Sequence, residues 1–209
     1  MASGPNAVWA IDLGNNSLKA LHLTNISGVV TVTGLDTITH EKILSGSGIK
    51  ASEREELIAL SLRQFVQQNN IGKDDVIVSV PSQNSIARFV KLPPVEKKRI
   101  PEIVKFEAAQ QIPFDINDVQ WDWQMMSEAD DTEPKVGIFA IKNDVVTAAL
   151  EYFSRENIRV KYVQMVPMAL YNFALFDRAE ISKSENQAVV IVDVGCENTD
   201  LVVCTKTAV

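Results

Sequence analysis

Apolar and polar positions repeat with a period of two, then of three to four, then of two again, and this rhythm divides the chain into elements. From Val8 an apolar run reaches Asp12; a turn rich in Gly and Asn follows, and alternation resumes from Leu18. Val29 to Thr39 alternates and is rich in Val, Thr and Ile, as a third strand is. Lys42 to Lys50, with its Ser-Gly-Ser-Gly, reads as a mobile loop. Ser52 and Glu55 make a capping box before a helix with Ile58, Leu62, Phe65 and Val66 as its buried stripe. Asn69 to Gly72 stops it, and Asp75 to Val80 is a buried strand. These segments make one α/β layer.

The texture changes at Pro81. Ile86 to Leu92 alternates as a half-exposed strand, and Pro93-Pro94 ends it. Ile100, Ile103, Val104, Ala108 and Ile112 then recur at helical spacing, with Pro101 early enough for its missing N–H to be tolerated. Val119 to Met126 is strand-like, with Val119, Trp121, Trp123 and Met125 on one face. Lys135 to Ile141 pairs with it across the acidic turn Ser127 to Pro134, which reads as a solvated hairpin tip rather than a cation site. Asn143 is expected to cap a helix whose core face is Val146, Ala149, Leu150 and Phe153. Val160 to Val166 is a strand again, and Pro167 starts a helix through Met168, Leu170, Phe173 and Ala174. Residues 82–158 thus read as a β-α-β-β-α module inserted into a layer formed by residues 1–81 and 159–209.

Composition narrows the class. A hydrophobic share of 46% and a charged share of 22% over 209 residues are those of a globular protein with ample core. A net charge of −7 argues against nucleic acid, whose phosphates need a basic face. The best membrane-span candidate, Tyr162 to Phe176, is broken by Gln164, Pro167 and Asn172. The first six residues carry no basic group and so no secretory signal, and two cysteines, Cys196 and Cys204, fit a reducing compartment. The expected location is the cytoplasm.

The candidate chemistry sits in two hairpins. In Asp12-Leu-Gly-Asn-Asn-Ser-Leu-Lys19 a carboxylate at a strand end can hold a hydrated cation, and Gly14 allows close backbone approach and a turn conformation barred to other residues. Successive N–H groups in such a turn form an anion-binding concavity, and Ser17 and Lys19 share a strand face. Val189 to Val203 repeats the layout with Asp193 and Gly195. The alternative is a pair of ordinary hairpins with polar turns. Neither stretch is a dinucleotide fingerprint or a Walker loop, which lead into helices. The Gly-Ser-Gly at 46–48 lacks the spacing of a nucleophile elbow and has no place in hydrolase chemistry. His22 and His40 lack ligand spacing and read as surface or strand residues. In order and layout the two hairpins resemble the phosphate-1 and phosphate-2 loops of the actin-like ATPase superfamily.

Leu92-Pro-Pro, the block Phe106-Glu-Ala-Ala-Gln-Gln-Ile-Pro-Phe114 and Asp118-Val-Gln-Trp-Asp-Trp123 resemble the PilM family of type IV pilus assembly proteins, over nearly the whole chain. That resemblance implies an α/β, actin-like (ribonuclease H-like) fold with an inserted subdomain of the FtsA type. It implies a cytosolic scaffold, peripheral to the inner membrane, that binds ATP and Mg²⁺ and clasps the cytoplasmic N-terminal peptide of a PilN-like membrane protein, with self-association possible. Carried over, it assigns Asp12 and Asp193 to the Mg²⁺ hydration shell. Gly14, Asn15, Asn16 and Ser17 become the first phosphate cradle with Lys19 beside it, and Gly195, Cys196, Asn198 and Thr199 the second. Asp200 departs from the small or hydroxylated residue expected there; a second carboxylate near phosphate requires a metal or an outward orientation. The chain ends at Val209, before the half that supplies the adenosine pocket in that fold, so the expectation is a truncated N-terminal region with weak or absent nucleotide binding and weak or no ATPase activity. The Phe89, Val90, Trp121 and Trp123 side chains are candidates for peptide capture at an open strand edge, against the simpler reading that each belongs to the core. Two alternatives are a sugar- or acid-kinase-like phosphotransferase of the same superfamily and the cytoplasmic platform domain of a type II secretion system.

Overall fold

A computed structural model describes residues 7–127, 133–177 and 188–205. The acidic turn at 127–134 falls largely outside them, as do both chain ends. Among the described residues, the chain forms two compact units: one from Met1–Val80, Ala148–Val166 and Asp193–Thr199, the other from Pro81–Thr147, Pro167–Val192 and Asp200–Val209.

The first unit is built on a five-stranded sheet. Strands β1 (Ala7–Leu13), β2 (Ser17–Ile26) and β3 (Val29–Thr39) form an antiparallel meander. After helix α1 (Ala51–Gln68), β4 (Asp75–Val80) returns to pair parallel with β1, and the later β8 (Val160–Met165) pairs parallel with β4. The sheet order is therefore β3-β2-β1-β4-β8. In β4 the positions alternate, with Val76, Val78 and Val80 buried and Asp75, Ile77 and Ser79 between them only partly so. Leu18, Ile58, Leu62, Phe65, Val76 and Val78 form the centre of the core, completed by Phe153 and Ile158 from the later segment. Trp9 meets Phe65 edge-on, with ring centroids 5.2 Å apart.

Helix α1 departs from expectation at two points, and the segment before it at a third. It begins at Ala51 with Lys50 at the N-cap and no side-chain cap, so Ser52 lies inside the first turn and the Ser52–Glu55 capping box does not form. Its buried residues are Leu57, Ile58, Ser61, Leu62 and Phe65, while Val66 is exposed. At about 100° per residue the stripe centres on Ser61 and Phe65, which swings Val66 outward. The segment ahead of the helix is anchored rather than loose. Leu44 is buried in the core and its amide donates to Asn15 O at 2.7 Å.

The second unit contains a three-stranded antiparallel sheet of order β5-β7-β6, from β5 (Ser85–Lys91), β6 (Val119–Met125) and β7 (Lys135–Lys142). Helix α2 (Ile100–Gln111), with Pro in its first turn, buries Ile100, Val104 and Ala108 against Val136, Ile138 and Ala140 of β7. Trp121 and Trp123 pack half-buried on this core, and Phe89 stands half exposed. A second cluster joins helix α4 (Val166–Asp177) to the hairpin of β9 (Val189–Val194) and β10 (Thr199–Cys204), through Met168, Tyr171, Ala174, Val202 and Cys204. Tyr171 is buried in this cluster, while Phe173 is exposed.

Helix α3 (Asn143–Arg155) connects the β-α-β-β run to β8. Asn143 is its first helical residue rather than its cap. The Asn143 side chain accepts from Gln120 Nε2 and donates to Asn117 O, both at 2.8 Å, which tethers the helix start to β6. At the other end Phe153 enters the first core and Arg155 meets Glu55 at 3.0 Å.

Candidate phosphate-binding turns

The β1–β2 register places Asp12 opposite Lys19 and Leu13 opposite Leu18, leaving Asn15-Asn16 as the tip. Asp12 is held from both sides. Ser79, the next-to-last residue of the neighbouring parallel strand β4, donates its hydroxyl to Asp12 Oδ1 at 2.7 Å. Lys19 Nζ lies 3.8 Å from Asp12 Oδ2, with side chains 63% and 47% exposed, so the pair contributes at most about 1 kcal/mol to stability. Its effect is to place a cation beside the turn. Ser17, on the same strand face by parity, is buried while Lys19 is exposed, so the Ser17 hydroxyl is not presented at the surface beside the ammonium.

The two turns are built alike. Gly14 N–H donates to Ser17 O at 3.1 Å, and Gly195 N–H donates to Asn198 O at 2.9 Å. In each, the Asp precedes the Gly by two residues and the acceptor follows it by three. What favours glycine here is space rather than torsion: neither Gly14 nor Gly195 has a positive φ, contrary to the conformational expectation for Gly14. A Cβ on Gly14 would stand 3.2 Å from Ser17 O, and one on Gly195 only 2.8 Å from Asn198 O. Asn15 Nδ2 donates to Glu197 Oε2 at 2.6 Å, so the tips of the two turns meet. Asp193, Gly195, Cys196, Asn198 and Thr199 are all exposed there.

Asp200 occupies in the second hairpin the offset that Lys19 occupies in the first. Its carboxylate accepts from the Ser82 hydroxyl, so the charge has a hydrogen-bond donor there.

Behind the first turn stands a buried polar group. His40 is buried just past the end of β3, not at the surface, with Nε2 3.1 Å from Gly14 O and Nδ1 2.7 Å from Ser61 Oγ. Desolvation pushes its pKa below the ordinary value, outweighing the opposing hydrogen bond to Gly14. His22 is half-buried on β2, stacked on Trp9 and 3.0 Å from Asp74 Oδ2. Sequence reasoning missed Ser79, His40, Ser61 and Glu197. Two of them had a readable signal: Ser79 and Ser61 are lone polar residues at apolar positions of a buried strand and a buried helix stripe.

These residues fit a metal–phosphate group in one particular way. Among the described residues no group of three His, Cys, Asp or Glu gathers into a cage. Asp12 is half exposed, with an ammonium near one oxygen and a hydroxyl on the other. Such a carboxylate suits a hydrated Mg²⁺ that takes its remaining ligands from phosphate and water.

An antiparallel meander continued by parallel strands in the order 3-2-1-4-8, with paired Asp-x-Gly turns, defines a protein of the actin-like ATPase fold. The chain belongs to the family of type IV pilus assembly protein PilM, whose sequence profile matches residues 10–209. A solved PilM–PilN type IV pilus biogenesis complex is similar at 19% identity with a TM-score of 0.73, covering 96% of this chain and 59% of that one. The cytoplasmic domain of EpsL, an inner membrane component of the type II secretion system of Vibrio cholerae, is similar at 10% identity with a TM-score of 0.52, over 95% of this chain and 71% of that one. At these identities the likeness is one of fold, and this chain spans less than two thirds of the PilM chain. No curated protein matches the sequence. Among the described residues no helix is long and apolar enough to cross a membrane.

Proposed function

We propose that this chain is the part of a type IV pilus assembly scaffold that carries both phosphate turns and the partner-binding module. The reading rests on one observation: two glycine turns of the same construction, with Asp12 and Asp193 at matched offsets, meet through Asn15 and Glu197. In that reading the main chain of 14–17 and 195–199 cradles the phosphates of ATP, Lys19 offsets their charge, and Asp12 and Asp193 orient the water shell of Mg²⁺. Bound metal would supply charge neutralisation between the phosphates. The chain's own residues hold and orient.

The partner is an extended peptide from the cytoplasmic N-terminus of a PilN-like inner-membrane protein, which would bring the scaffold to the membrane. The PilM–PilN complex among the similar solved structures and the edge strands β5 and β6 of the three-stranded sheet support that assignment. Half-exposed Phe89 and half-buried Trp121 and Trp123 put apolar side chains on those edge strands.

Titration of the purified chain with the cognate peptide, read by tryptophan fluorescence, tests the partner. Trp9 is deep in the other core, so a saturable change reports Trp121 or Trp123. Saturation at micromolar peptide, lost on scrambling, is the expected outcome; no response from this chain or a longer one rules the peptide partner out. Calorimetry with Mg·ATP tests the turns. Binding that weakens at least tenfold in Asp12→Ala is expected, and equal binding by that variant excludes the assigned metal role.

A further inference from the structure

Three successive carbonyl groups of the first turn, those of Gly14, Asn15 and Asn16, are held by one segment of the chain. Gly14 O faces His40 Nε2 at 3.1 Å, Asn15 O accepts from the Leu44 amide at 2.7 Å, and Asn16 O accepts from the His40 amide at 3.0 Å. All three donors lie in the five residues that follow β3. The peptides are trans, and in a trans peptide the C=O and the next N–H point opposite ways. The N–H groups of Asn15, Asn16 and Ser17 are therefore turned together, away from residues 40–44. Three successive amides on one side make a nest for an anion.

Two of these three anchors are main-chain amides, which any sequence can supply. The third is a side chain. We propose that His40 is a positioning residue for the phosphate-binding turn: by donating Nε2–H to Gly14 O it fixes the first peptide plane of the tip and aims the Asn15 amide at a phosphate oxygen. The inference rests on the reading of this turn as a phosphate site.

The chemistry of the contact specifies the imidazole state. A carbonyl can only accept, so Nε2 carries the proton. Nδ1 of a neutral ring then accepts, and the hydroxyl 2.7 Å away on Ser61 supplies the proton. Burial of His40 and Ser61 favours that neutral ring. Ser61 Oγ also lies 3.1 Å from Leu57 O one turn back in α1; its single proton can serve one acceptor only, and the Nε2–H ring requires it on His40 Nδ1. This gives a reason for a serine inside an otherwise apolar stripe. It selects the tautomer of the histidine that holds the turn.

The test uses the full 209-residue chain, labelled with nitrogen-15, as wild type, His40→Gln, His40→Met and Ser61→Ala. Gln can donate an amide N–H to Gly14 O; Met fills similar space and cannot. The wild-type ring is expected in the Nε2–H form at pH 7.5, and Ser61→Ala is expected to mix the tautomers. His40→Met should shift the Asn15–Ser17 amide resonances, raise exchange at the Leu44 amide at least tenfold, and weaken inorganic tripolyphosphate binding at least tenfold. His40→Gln should stay within about threefold of wild type in both. A wild-type Nδ1–H or charged ring overturns the proposal, as does binding and Leu44 exchange in His40→Met within twofold of wild type. If His40→Met fails to fold, the tautomer and a tenfold loss in His40→Gln serve the same purpose, since a donor-bearing variant must retain the turn. If the wild type binds neither tripolyphosphate nor Mg·ATP, the phosphate reading falls, while tautomer and exchange still decide whether His40 orients the turn.

Discussion

Gly14 and Gly195 look equivalent in sequence but differ in how tightly they are enclosed. An alanine Cβ at 195 would press to 2.8 Å on a main-chain oxygen that cannot swing aside, whereas at 14 the gap is 3.2 Å. Replacing Gly by Ala also restricts the unfolded chain, which favours folding by roughly 0.4–1 kcal/mol where no strain arises. At Gly14 these effects nearly cancel. At Gly195 strain of roughly 1–3 kcal/mol wins. Urea unfolding should therefore find Gly195→Ala less stable than Gly14→Ala by about 1 kcal/mol or more; equal stability would mean that the second turn relaxes freely. His40 carries the other residue-scale prediction. Its folded pKa lies below the ordinary value of about 6.5, so between the two values the unfolded chain binds the extra proton. The stability it contributes is complete above about pH 7 and declines as pH falls through 6.5 toward the folded value. Stability measured from pH 7.5 to 5 should fall less steeply in His40→Gln than in wild type. Surface carboxylates add the same slope to both and drop out of the comparison.

At the scale of elements, periodicity was a sound guide where burial is decided by the strand or helix itself. Asp75–Val80 is a strand as its apolar run implies, and Trp121 and Trp123 share a face with Val119. Caps and anchors were not legible, because their partners are remote or because a plausible local motif competes with a better start. Ser52 and Glu55 have capping-box spacing, yet the chain turns helical at Ala51 and strands the serine inside. The Ser-Gly-Ser-Gly stretch reads as mobile until its neighbour Leu44 is seen buried with its amide on Asn15. The same holds for the phosphate turn. Its Asp and Gly are visible in one dimension, while the segment that orients its peptide planes lies more than twenty residues on. Helix α1 also starts with a lysine at its N-cap, where a cation opposes the helix dipole and no side chain accepts from the first amides. Lys50→Asp supplies both an acceptor and the right charge. It should raise unfolding stability by about 1 kcal/mol, read by thermal or urea denaturation; no gain would mean that the first turn is already satisfied by solvent.

For the whole molecule, the decisive fact is how each core is drawn from the sequence. The core beneath the three-stranded sheet uses only residues between Ile86 and Ala140. The core around Phe65 needs Phe153 and Ile158 as well as residues 9–78, and its sheet needs β8. A polypeptide of residues 81–147 is therefore expected to unfold cooperatively on its own, as domains near this size are able to do, with dispersed amide resonances. One of residues 1–80 should not, since it lacks the strand beside β4 and leaves Phe65 and Val76 under-packed. Far-ultraviolet circular dichroism melts of the two fragments check this, and a cooperative transition for 1–80 would show that β8 and Phe153 are dispensable.

The discontinuity of the first unit also sets a timetable. On a ribosome, the Asp12–Ser17 turn acquires every anchor described for it by the time Ser61 is made, apart from Glu197 and the Ser79 hydroxyl on Asp12. Asp193 emerges more than a hundred residues after Val80, a delay of roughly 5–25 s at about 5–20 residues per second. The first turn is thus finished goods while the second is still unmade, and Glu197 arrives at a surface already shaped to receive it. A nascent chain stalled just short of Asp193 would present an ordered half-site, with Asn15 still waiting for its carboxylate.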